Sequence, residues 1–142
     1  MKYLDTLIAV GGRHAHTELY NFELDQWSQG PDYPYKSYLY TSPICHYNNK
    51  FIIFAEEAVI AAFDTNTQTW SQIGRTLNSS RYHHNAIQLP DDNFLVFGGT
   101  GSFATEKCTW DGDQLKCSAQ DPTVYRYTAW PELFHVPDNY CQ

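Results

Sequence analysis

Basic residues are scarce in this chain: nine Lys and Arg stand against 16 Asp and Glu, a formal net charge of −7. A nucleic acid or an anionic lipid surface would therefore meet a repulsive phosphate term, and neither is expected as a partner. Long apolar runs are also missing. Nothing approaches the roughly 20 residues of a membrane-spanning helix, so a soluble chain without a span is expected. Lys2 is followed by a short run interrupted by Asp5, with no apolar stretch leading to a cleavage site, which is unlike a signal peptide; a leader outside this sequence is compatible with that reading. Catalytic signatures are lacking too: there is no G-x-S-x-G elbow, P-loop or H-E-x-x-H. His14 and His16 share one loop and His83 and His84 another, but the spacing matches no zinc pattern. No cofactor and no metal are expected.

What is present in quantity is apolar and aromatic side chain. Of 142 residues 42% are hydrophobic and 16% aromatic, enough to fill one core in one cooperative unit. The run Phe94-Leu95-Val96-Phe97-Gly98-Gly99 is too short for a helix and reads as a buried strand halted where paired glycines let the backbone turn. Leu7-Ile8-Ala9-Val10-Gly11-Gly12 repeats it, with the Gly-Gly pairs 87 positions apart. Midway lies Phe51-Ile52-Ile53-Phe54, with Ala55 and Glu56 in place of the glycines. Trp27 and Trp70 are 43 apart, each after a polar turn, and Leu115 holds the corresponding place in the third copy. A repeat of about 43 to 45 residues carrying four short strands is the size of a propeller blade.

The apolar strand ending in Gly-Gly, the aromatic in the next strand and the spaced Trp resemble the kelch repeat over essentially the whole chain. The resemblance implies an all-β fold of four-stranded antiparallel blades, lettered A to D outward from the axis, with Gly-Gly ending B and the Trp in D. Blade 1 then supplies strands B to D over about residues 3–30, blade 2 spans about 38–74 and blade 3 about 81–120, and a C-terminal strand at about 129–137 would close the first blade. Strands are expected at 3–10 and 17–24, the latter burying Leu19, Tyr20 and Phe22, and a third from Trp27. Blade 2 is expected at 39–47, 50–54, 59–64 and 69–73, and blade 3 at 83–89, 93–97, 105–110 and 114–118. Asn48-Asn49, Pro90-Asp91-Asp92 and Asp111-Gly112-Asp113 are hairpin signals between them. Trp27 and Trp70 are expected at equivalent, largely buried positions. Three blades do not close a ring, so the chain reads as part of a longer propeller or as half of a six-bladed assembly of two copies.

If Gly112-Asp113 form a tight turn, Asp111 faces Gln114, Trp110 faces Leu115 and Cys108 faces Cys117, which fits a cross-strand disulfide. That bridge favours an oxidising, extracellular compartment over the cytoplasm. Cys45 and Cys141 are left unassigned. Asn78-Ser79-Ser80 matches the N-glycosylation sequon. Arg81, His83 and His84, leading into strand A, read as structural polar groups.

In kelch proteins the face bearing the B–C and D–A loops commonly binds a partner. Loops at 13–16, 56–57 and 100–103 follow strand B, and those at 33–37 and 74–80 join D to A. Candidate contact residues on that face are Arg13, His14, His16, Tyr33, Tyr35, Glu56, Glu57 and Phe103, a mixture of aromatic anchors and charge. For Glu56-Glu57, simple solvation competes with contact; for Tyr38 and Tyr40, blade core does. The leading functional reading is a non-catalytic module binding a protein or peptide. The alternatives are a piece of a propeller enzyme acting on a small polar or sugar-like substrate, and a purely structural array.

Overall fold

The computed structural model describes residues 6–11, 15–35, 39, 41–77, 81–100 and 105–120, and these are all-β. The expected C-terminal strand at 129–137 and Cys141 lie outside them. Eleven strands run β1 (Thr6–Gly11), β2 (His16–Asn21), β3 (Gln26–Gln29), β4 (Ile44–Tyr47), β5 (Lys50–Phe54), β6 (Val59–Asp64), β7 (Thr69–Arg75), β8 (Asn85–Gln88), β9 (Phe94–Phe97), β10 (Glu106–Asp111) and β11 (Gln114–Ala119). Neighbours in sequence pair antiparallel as three meanders: β1-β2-β3, β4 to β7, and β8 to β11. The last two join edge to edge through a short parallel pairing, Leu115 with Gly74 and Lys116 with Arg75, making one nearly closed eight-stranded sheet in the order β4-β5-β6-β7-β11-β10-β9-β8. Gly74 permits that join, because a Cβ there would strike the Leu115 carbonyl oxygen.

The sequence explains why the β4–β7 meander lies in the middle. Its central strand β6, Val-Ile-Ala-Ala-Phe-Asp, is buried at every position but the last, as a strand covered on both faces must be. Side chains alternate across it. Ile52, Phe54, Ile60 and Ala62 point to one side and build a core with Ala86, Phe94, Val96, Cys108 and Leu115 of the β8–β11 meander. Ile53, Ala55, Val59 and Ala61 point to the other and pack with Tyr33, Leu39 and Val10 on the β1–β3 side.

The repeat is visible in the hairpins. Tyr20 pairs with Trp27, Phe63 with Trp70 and Trp110 with Leu115, so the tryptophans do occupy equivalent places, with Leu115 as the third. The first two turns are built alike. Asn21 Oδ1 accepts from the backbone N–H of Glu23 and Leu24, Asp64 Oδ1 from that of Asn66 and Thr67, and Asp25 and Gln68 take left-handed φ of 52° and 53°. The third turn is shortened to Gly112-Asp113, with Gly112 at φ 64°. Its register sets Cys108 opposite Cys117, and the two form the expected disulfide.

Three expectations need correction. The second strand ends at Asn21 rather than at residue 24, because the Asn21 side chain captures the next two backbone donors and turns the chain; Phe22 is consequently exposed, at 57%. Trp27 is 53% exposed, since no further sheet covers its face among the described residues, whereas Trp70 lies half-buried against Phe63 and Tyr33. The first strand of the middle meander starts at Ile44, not at residue 39, because Pro43 has no N–H for the ladder.

Candidate functional site, the loop edge

Because the strands alternate in direction, the β5–β6 and β9–β10 loops and the β3–β4 and β7–β8 connections gather at one edge of the sheets, and the tight hairpin turns at the other. A buried polar network holds the loop edge together. Arg81, only 1% exposed, donates from Nη2 to Glu106 Oε1 at 2.7 Å, and Glu106, fully buried, accepts the Leu77 backbone N–H on Oε2 at 2.7 Å. The Arg81 backbone N–H donates to the Glu56 carbonyl at 3.1 Å, tying the β7–β8 connection to the β5–β6 loop. Two bonds between Tyr82 and Thr100, at 3.1 and 2.8 Å, tie it to the β9–β10 loop. Gly99, at φ 90°, makes this approach possible, since a Cβ would lie 2.6 Å from the Tyr82 carbonyl oxygen.

Beside this pair, Thr41 Oγ1 donates to Glu56 Oε1 at 3.1 Å and lies 3.0 Å from His83 Nδ1. His84 is buried, and its Nε2 lies 3.0 Å from the Phe54 carbonyl oxygen, which requires the proton on Nε2. Burial, and after it the positive charge of Arg81, pushes the His84 pKa down to about 4. The imidazole is therefore a neutral donor at physiological pH. Burial also lowers the Arg81 pKa while the Glu106 carboxylate opposes that change. A charged pair this far from water is held by geometry and hydrogen bonds, and removing either partner would strand the other. The arrangement fixes backbone loops: Arg81 and Glu106 face each other, His84 faces a backbone carbonyl, and Glu56 and His83 face the Thr41 hydroxyl.

The candidate contact residues divide. Tyr33 is 4% exposed: its backbone N–H donates to the Ala15 carbonyl at 2.9 Å, and its ring packs edge-on against Trp70 and Tyr35. Burial, with the nearby Tyr35 and Glu57, raises its phenol pKa. Glu56 is 2% exposed and engaged by Thr41. Neither side chain stands free on the surface, because both serve the packing between meanders. Tyr35 and Glu57 are half-buried, at the margin of the same edge. His16 is exposed and pairs with Asp32 at 2.9 Å. Arg13, His14, Phe103 and the sequon residue Asn78 lie outside the described residues. Cys45 is a buried free thiol donating to the Ala86 carbonyl, its pKa pushed up to about 11 by burial. Sequence reasoning missed Glu106 and Thr41. Glu106 opens a strand with no local mark of a buried charge; the buried Arg81 and the Leu77 backbone N–H are what hold it there.

No protein-family model matches the chain, and no curated protein matches it. Among solved structures it is similar to the N-terminal domain of Nup159, with 13% sequence identity and a TM-score of 0.38, the match covering 80% of this chain and 30% of that one.

Proposed function

We propose that this chain is a section of a kelch-type β-propeller, three blades of it, acting as a non-catalytic module that binds a protein or peptide through its loop edge. The supporting observation is the buried network around Arg81 and Glu106, which spends two charges and two histidines on fixing the loops that connect successive meanders. Rigid loops on a sheet scaffold lower the ordering cost of binding. Tyr35, Glu57 and His16 are candidate contact residues at that edge with surface exposed to solvent; Arg13, His14 and Phe103, which lie outside the described residues, are candidates by sequence position alone. The outer face of β1–β3, with Trp27, Phe22 and Leu7 exposed and no further sheet on it among the described residues, fits a further blade of a longer chain or of a second copy. The disulfide favours an oxidising compartment.

The test is affinity capture with the wild type and with a Tyr35→Ala/Phe103→Ala variant of unchanged melting temperature. Loss of the captured protein with the variant is the expected result. Equal capture by both places recognition elsewhere, and turnover of a small polar or sugar-like substrate by the purified protein would make the enzyme reading the better one.

A further inference from the structure

At the opposite edge, where the hairpin turns gather, the structure holds a cleft of about 360 Å³ between the β4–β5 turn and the β10–β11 turn. It is lined by Tyr47, Asn48, Lys50, Trp110, Gly112 and Asp113 among others. Two aromatic rings form its apolar part: Tyr47 and Trp110 lie 5.1 Å apart, tilted by 31°, over the buried ring of Phe94. The indole is fixed, its Nε1–H donating to the Asp92 carbonyl at 3.0 Å and its backbone N–H to Asn93 Oδ1 at 3.2 Å. The turn at Asn48 is fixed as well, with φ 53° and the next carbonyl, of Asn49, accepting from both Thr65 N and Thr65 Oγ1 at 2.9 Å. Gly112 leaves the mouth open: a Cβ there would meet nothing within 4 Å.

We infer that this cleft is a binding site for a neutral saccharide, separate from the loop edge. The volume lies at the small end of the roughly 300–1,000 Å³ of small-molecule sites, and a few polar groups over an apolar floor are the usual composition. A sugar ring has C–H faces that lie on aromatic rings and a rim of hydroxyls that both donate and accept. Here the rim would meet an amide from Asn48, an ammonium from Lys50 and a carboxylate from Asp113, which together supply both kinds of partner. One cation and one anion at the mouth offset each other, and the chain as a whole carries −7, so an anionic ligand is disfavoured. A flat apolar ligand would make no use of the three polar groups at the mouth.

The probes are glucose, galactose, N-acetylglucosamine and their β-linked disaccharides, titrated against the full chain with saturation-transfer NMR and indole fluorescence as readouts. Two variants should keep the fold. Asn48→Gly suits the left-handed φ, and Gly112→Asn places a side chain in the mouth at a φ that Asn tolerates. Saturable binding of at least one saccharide is expected, weakened tenfold or more by Asn48→Gly and by Gly112→Asn, and unaffected by Tyr35→Ala at the loop edge. The inference is overturned if no probe saturates at millimolar concentration. It is equally overturned if binding survives both cleft substitutions, or if a peptide competes for the cleft while no saccharide does.

Discussion

Identical residues in identical registers carry different weights here. Trp70 packs on Phe63 and Tyr33, and its indole Nε1–H donates to the Pro31 carbonyl at 3.0 Å; among the described residues Trp27 meets only Tyr20 in ring contact, and it is exposed. Trp70→Ala should therefore cost about 3 kcal/mol, near the lower bound for a truncated core aromatic, and Trp27→Ala no more than about 1, as read from chemical denaturation of the isolated chain. Equal losses would mean that the β1–β3 face is covered after all. His84 supplies a pH dependence with a definite sign. Its folded-state pKa of about 4 lies below the usual 6.5, so the unfolded chain takes up the proton first. Stability is full above about pH 6.5, falls as pH drops toward 4, and levels off below that, the loss amounting to a few kcal/mol at most. Arg81 and His83 both oppose the charged imidazole. His84→Gln, which can still donate to the Phe54 carbonyl, should flatten the profile between pH 6.5 and 4; an unchanged slope would assign the dependence to other groups.

At the scale of elements, local pattern was informative and long-range partnership was not. Residues 50–54 and 59–64 are strands as expected, because apolar residues fill them between strong turn signals. The pairing of Cys108 with Cys117 followed from the two-residue turn alone. Removing that bridge by Cys108→Ser/Cys117→Ser should cost about 2 to 3 kcal/mol in the chain-entropy model for so short a loop, with β10 and β11 still paired; a peptide map of the non-reduced protein with free thiols at both positions would contradict the bridge itself. The second strand was expected too long because Asn21 reads as an ordinary polar strand residue until its side chain is seen to hold two turn amides. The burial of Tyr33 and Glu56 was equally hidden, since each depends on a neighbour far off in sequence: Trp70 for one, Thr41 for the other.

On the scale of the whole molecule, the account rests on a stack in which, among the described residues, the middle meander is covered on both faces and the first on only one. The order of burial follows from composition: β6 has no solvent-facing position before Asp64, whereas β3 is exposed throughout. Opening free energies should follow the same order, since locally exposed ladders open at little cost and doubly covered ones only with the whole fold. Native-state hydrogen exchange on the isolated chain measures this residue by residue. Amides of β5 and β6 should exchange last, by global unfolding, with those of β10 close behind and those of β2 and β3 faster by orders of magnitude. If β2–β3 proves as protected as β5–β6, or if β6 exchanges early, the stacked arrangement is wrong.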